Sequence, residues 1–161
     1  MTEHTSPDHL REEFWDRIED VRAGMLSTPS ISARPMSHSL REKDGMIWFI
    51  TAHGTDVADA AKGSSQATYI VASSSAKIYA TINGTMSVET DRDILNDVWS
   101  PIAAAWFEDG KDDPDICLVG FKPVRADIWA TDGGARFLYE VAKGNLTGKK
   151  PDMGDHGTVT F

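Results

Sequence analysis

A proline stands where the sequence otherwise asks for a β-strand. Residues 30–38 read SISARPMSH, between GMLST and GMIWFIT, and both flanks are rich in strand-forming residues. Pro35 has a fixed φ and no N–H to give to a ladder, so a central strand cannot contain it. This segment therefore runs along a sheet edge, at a bulge, or where something other than a neighbouring strand meets the backbone. Arg34 directly precedes it.

The surrounding pattern is β. From about residue 25 to 90 the chain offers MLST, ISARPMS, MIWFIT, ATYIVAS and KIYATINGTMSVE, short segments rich in β-branched and aromatic residues. Asp44-Gly45 marks a hairpin turn. A short helix from Thr55 to about Lys62, stopped by Gly63, interrupts the run. Asn83-Gly84 falls inside the longest segment and predicts a bulge, the device that bends strands around small barrels. Helices bracket this region. Ser6-Pro7-Asp8 supplies an N-cap, a first-turn proline and a first-turn acid, and Leu10, Phe14, Ile18 and Val21 follow at helical spacing toward Gly24. A second helical region starts at Thr90-Asp91, breaks at Ser100-Pro101 and restarts through Ala105. FEDGKDDPD forms a loop, DICLVGFKP and VRADIWAT read as two further strands, and GARFLYEVAKGNLTG as a last amphipathic helix. The ends, residues 1–5 and the tail PDMGDHGTVTF, are expected to be loosely held. Six or seven antiparallel strands with helices at start, middle and end give a mainly β (α+β) fold, a small barrel with helical caps, as one domain over residues 1–161.

Charge and motif chemistry narrow the functions. A formal net charge of −9, with Lys149-Lys150 the only basic pair, argues against a phosphate-backbone partner. Cys117, the single cysteine, excludes an internal disulfide and lies in an apolar strand segment, where a thiol behaves as a small hydrophobe. No segment approaches the ~18 apolar residues of a membrane helix, and the acidic N-terminus lacks an apolar signal core, so a cytoplasmic, reducing setting is expected. His4, His9, His38, His53 and His156 show no His-x-His or His-x-x-x-His pair, so no metal is expected. The acids at Asp109, Asp112, Asp113 and Asp115 lack the glycine and terminal Glu of a calcium loop. GNLTGKK has three residues between its glycines and Lys150 where a phosphate loop needs Ser or Thr. Neither G-x-G-x-x-G nor G-x-S-x-G occurs.

What remains is Arg34-Pro35-Met36 beside Trp48-Phe49-Ile50-Thr51, brought together by the Asp44-Gly45 turn. These segments, with FWDRIEDVRAGMLST, YATINGTMSVETDRDILNDVWSPIAAAWFEDGKDDPDICLV and RADIWATDGGARFLYEVAKGNLTGKKPDMG, resemble the general stress protein 26 branch of the flavin-binding split barrels, relatives of pyridoxamine 5'-phosphate oxidase. The resemblance runs from about Phe14 to Gly154. It implies a six-stranded antiparallel split β-barrel, a homodimer, and FMN in grooves between the protomers, with FAD as the alternative flavin. It also implies cofactor-binding roles: Arg34 toward the phosphate, Pro35 and Met36 along the isoalloxazine, Ile50 and Thr51 lining the groove, Thr55 and Asp56 at the start of the short helix. Trp129 and Arg136 match positions contributed by the second protomer, Arg136 with a one-residue difference in spacing. Trp106 matches the stress-protein branch and reads equally as a core aromatic.

One departure concerns the phosphate. Relatives have Ser-x-Lys at the start of the short helix, and this chain has Thr55-Asp56-Val57. A lysine is lost and a carboxylate gained, and like charges ~4 Å apart repel by ~1 kcal/mol in water and ~4 kcal/mol at an effective dielectric of 20. Arg34, the hydroxyls of Thr51 and Thr55 and the helix N-terminus offset part of this, with Lys62 and Lys77 as replacements. Weaker FMN binding, a tilted phosphate, another flavin or no tightly held one is expected. By resemblance the chain is a flavin-binding general stress protein, either a flavin-dependent oxidoreductase or a non-catalytic flavin sensor, reservoir or dimeric binding module. GGARFLYE offers only Arg136 toward a substrate phosphate, so pyridoxamine phosphate is not the expected substrate.

Overall fold

The computed structural model describes residues 6–152 and 154–161. Helix α1, Pro7–Ile18, starts as its sequence dictates: Ser6 Oγ accepts from His9 N at 3.2 Å and Pro7 opens the first turn. It ends at Ile18, short of the expected Gly24, because Asp20 N and Val21 N bond to Arg17 O and Ile18 O and tighten the last turn. Leu10, Phe14 and Ile18 form its buried stripe.

Eight strands follow: β1 Gly24–Thr28, β2 Ile31–Met36, β3 His38–Leu40, β4 Ile47–Ala52, β5 Ser65–Ser73, β6 Ile78–Glu89, β7 Ile116–Ala130 and β8 Asp155–Thr160. All described pairings are antiparallel, in the order β2-β1-β5-β6-β7-β4-β3, with β8 also on β7. The two ends of this path, β2 and β3, are separated in the chain only by Ser37. The sheet must therefore curl until its edges approach, which makes the half-barrel. Pro35 sits on β2, whose one ladder partner among the described strands is β1, with Met25 opposite Pro35. Its missing N–H is tolerated because β2 is an edge.

β7 corrects the expectation of two strands at 115–131. It is continuous over 15 residues and passes through Pro123. One edge pairs with β6 from residue 118 to residue 130, interrupted at one position; the other is divided, residues 116–121 pairing with β4 and 125–130 with β8. That division splits the barrel. The register shifts between Asn83 and Gly84: Asn83 faces Arg125 and Gly84 faces Pro123, leaving Val124 as the extra residue. A bulge is thus present at Asn83-Gly84, with its extra residue on the partner strand. The tail is also corrected: β8 pairs with β7 over six residues, and Val159 is fully buried.

The core lies inside the curl. Leu26, Ile47, Phe49, Tyr69, Ile82, Met86, Phe121 and Ile128 face α1 and Val57, Ala58 and Ala61 of helix α2, Asp56–Lys62. A second cluster of Trp48, Leu95, Val98 and Leu118 packs under α3, Arg92–Val98, which is followed by α4, Pro101–Trp106. Helix α5, Gly134–Thr147, links β7 to β8. Among the described residues no helix is long and apolar enough to cross a membrane.

Candidate functional site

Edge strand β2 brings Arg34 to the start of α2. After β4 the chain turns through Gly54, whose φ of +83° suits glycine, and Thr55 caps the helix. Thr55 Oγ1 donates to Ala52 O at 2.9 Å and accepts from Ala58 N at 3.2 Å. Its single proton is thereby committed, so in the 3.1 Å contact between the hydroxyls Thr51 donates to Thr55. Arg34 Nη1 donates to Asp56 Oδ2 at 3.1 Å, and Arg34 Nε lies 3.4 Å from Ser32 O. Thus β2, the end of β4 and the first turn of α2 assemble a guanidinium, a carboxylate and two hydroxyls.

The other sequence-predicted residues stand differently. Pro35 is exposed, and Met36 is half-buried against the core. Ile50 packs with Trp48 and Leu118, on the face of β4 opposite Thr51. Trp129 is half-exposed near the end of β7, its ring stacked on His156 with centroids 6.3 Å apart. Arg136 bonds Asp132 at 3.2 Å and Asp152 at 3.7 Å. Trp129 lies twelve residues along β7 from Cys117, the ladder partner of Thr51. That is about 40 Å of extended strand, shortened through space by the curl. Within one chain the β7 ladder therefore sets Trp129 apart from Thr51, and Arg136 follows on α5. Of the two replacement lysines, Lys62 bonds Asp59 at 3.7 Å, while Lys77 packs beside Gly133. Trp106 is 80% exposed, which excludes the core reading.

Several features carry no sequence signal. A cleft of about 550 Å³ opens between Ser27–Pro29, Thr68, Asn83 and the bulge at Val124 and Arg125. None of the predicted site residues lines it. An apolar strip, Met25, Ile70, Tyr79 and Trp129, crosses the outer face of β1, β5, β6 and β7 and is exposed. His9, Glu13 and Asp155 bring ligand-type atoms within 4.8 Å of one another, though no His-x-x-x-His exists. Glu13 Oε1 there accepts from Arg17 at 2.8 Å, so the cluster forms part of an ion-pair network. Burial pushes the Cys117 thiol above its ordinary pKa, which disfavours the thiolate a nucleophile needs.

Comparison with known proteins places this geometry. The family model described as pyridoxamine 5'-phosphate oxidase like matches residues 9–152. A solved structure of general stress protein 26 from Jannaschia sp. CCS1 is 46% identical, with a TM-score of 0.90 over 97% of this chain and 100% of that one. A general stress family protein from Xanthomonas campestris pv. campestris is 28% identical, with a TM-score of 0.72 over 81% of this chain and 92% of that one. The general stress FMN/FAD binding protein of Xanthomonas citri is 27% identical, with a TM-score of 0.70 over 79% and 92% of the two chains. No curated protein matches the chain.

Proposed function

Because the chain belongs to the pyridoxamine 5'-phosphate oxidase-like family, we propose that it binds a flavin, FMN in the first instance, between two copies of itself. The convergence of Arg34 with the Thr51 and Thr55 hydroxyls beside the proline-bearing edge of β2 carries this reading. A guanidinium forms charge-assisted bonds to phosphate, hydroxyls add neutral ones, and Pro35 leaves its backbone free of a second ladder partner. The similar Xanthomonas citri protein is named for FMN/FAD binding. Two copies are proposed because Trp129 lies twelve residues along β7 from Cys117, the ladder partner of Thr51, and because the strip of Met25, Ile70, Tyr79 and Trp129 offers an outer face for a partner.

A bound flavin would supply electron transfer; the protein's own residues would orient the ring, meet its phosphate end with Arg34 and exclude water. We assign it a flavin-dependent oxidoreductase role in the cytoplasm. Freshly purified protein is expected to be yellow or to turn yellow with added FMN, and to bleach with a nicotinamide donor. Colour without bleaching marks a flavin reservoir or sensor instead. Arg34→Ala should weaken FMN binding at least about tenfold while leaving urea unfolding unchanged, since the side chain is partly exposed and fills no core volume. Protein that stays colourless in excess FMN and excess FAD refutes the flavin reading.

A further inference from the structure

The guanidinium assigned to a flavin phosphate already has an anionic partner in its own chain. Arg34 Nη1 bonds Asp56 Oδ2 at 3.1 Å. The Thr55 cap fixes the backbone at Asp56, so side-chain rotation is the only retreat open to the carboxylate. The first turn of α2 holds a second carboxylate, Asp59, and the one cation of that helix, Lys62, pairs with Asp59 at 3.7 Å. A phosphate bonded to the same guanidinium therefore comes within roughly 8 Å of Asp56, since two charge-assisted bonds of about 2.8 Å are joined through the width of one guanidinium. A phosphate monoester carries about 1.5–2 negative charges at neutral pH, and the terminal hydroxyl of riboflavin carries none.

We propose that Asp56 is a specificity-determining residue that competes with a ligand's phosphate for Arg34, so that the protein holds flavins through the ring and ribityl chain and gains little from a terminal phosphate monoester. This inference rests on the flavin reading above. The opposite role, Asp56 orienting Arg34 toward a phosphate, uses the same ion pair and predicts the opposite sign. Neutralising Asp56 therefore decides between them. The Asp56 side chain is 68% exposed, so Asp56→Asn leaves the core untouched, which thermal unfolding checks.

Riboflavin and FMN are titrated separately into the wild-type protein, Asp56→Asn and Arg34→Ala, following flavin fluorescence. In the wild type the two flavins should bind within about threefold of each other. Asp56→Asn should tighten FMN about tenfold and leave riboflavin unchanged, a gain of ~1.4 kcal/mol. Arg34→Ala, which leaves Asp56 unopposed, should weaken FMN and spare riboflavin. Weaker FMN binding by Asp56→Asn overturns the proposal, as does wild-type binding of FMN far tighter than riboflavin. Failure of every protein to bind either flavin overturns the flavin reading itself, and the inference with it.

Discussion

Replacing Tyr69 with phenylalanine tests the network that holds β2 and β3 against α1, at the sheet edge that carries Arg34. Tyr69 is fully buried; its hydroxyl lies 2.9 Å from Met36 O and 2.7 Å from His38 Nδ1. His38 Nε2 lies 2.9 Å from Ile18 O, an oxygen that only accepts, so Nε2 carries the proton and Nδ1 of the neutral ring is an acceptor. One phenolic proton thus serves two acceptors, and phenylalanine removes it from both. The wild type leaves one of the two waiting at any moment, so the net loss is one unsatisfied buried acceptor, about 1–3 kcal/mol. At roughly 3 °C per kcal/mol for a chain of this length, the midpoint should fall by about 3–9 °C. Urea and thermal unfolding at fixed protein concentration measure it. A variant within about 0.5 kcal/mol of wild type would refute the shared-proton argument.

The same network sets a pH dependence. Burial lowers the His38 pKa below its ordinary value of 6.5. The unfolded chain then takes up a proton that the folded one refuses, so this contribution is fully present above about pH 6.5 and is lost as pH falls toward the folded value. His38→Gln should flatten the stability slope between about pH 7 and pH 5; an unchanged slope sinks the assignment.

Two further substitutions probe the elements that the structure corrected. At Gly84 an added Cβ would meet Lys122 O at 2.2 Å and the Phe121 ring at 3.0 Å. Gly84→Ala should therefore cost about 2–3 kcal/mol in urea unfolding, and near-neutral behaviour would mean the bulge yields freely. Val159→Ala, in a tail that is a buried strand, should cost about 1–3 kcal/mol from lost burial and the cavity left behind. A loosely held tail would show no loss.

Local chemistry was legible in the sequence. Ser6, Thr55 and Gly63 mark helix ends because capping needs only neighbours three or four residues away. Pro35 marked an edge because it lacks a donor wherever it sits. Long-range pairing was not legible. Pro123 and the neighbouring Val124 read as a break between strands, yet the break is absorbed by a bulge against Gly84, about forty residues away in sequence. The tail's alternation was too weak to read without knowing that residues 125–130 lack a partner until β8 arrives. The site divides likewise. Thr51 and Thr55 are close in sequence, but the Arg34–Asp56 bond spans 22 residues, and only the fold shows that the expected repulsive carboxylate sits on the arginine itself.

The length of β7 makes the two-chain site testable without a structure of the complex. If Arg34 of one chain and Trp129 of another meet the same ligand, every site in an Arg34→Ala dimer lacks its arginine and every site in a Trp129→Ala dimer lacks its tryptophan. In a mixed dimer of the two variants, one site carries both defects and the other carries neither. Random re-pairing makes half of the dimers mixed, so about a quarter of all sites should regain wild-type FMN affinity, though neither chain alone has it. Co-refolding the variants from urea and titrating FMN would show a tight phase of that amplitude. Were both residues to serve one ligand within a single chain, mixing would restore nothing, and the separation of Trp129 from Thr51 along β7 would have no bearing on binding.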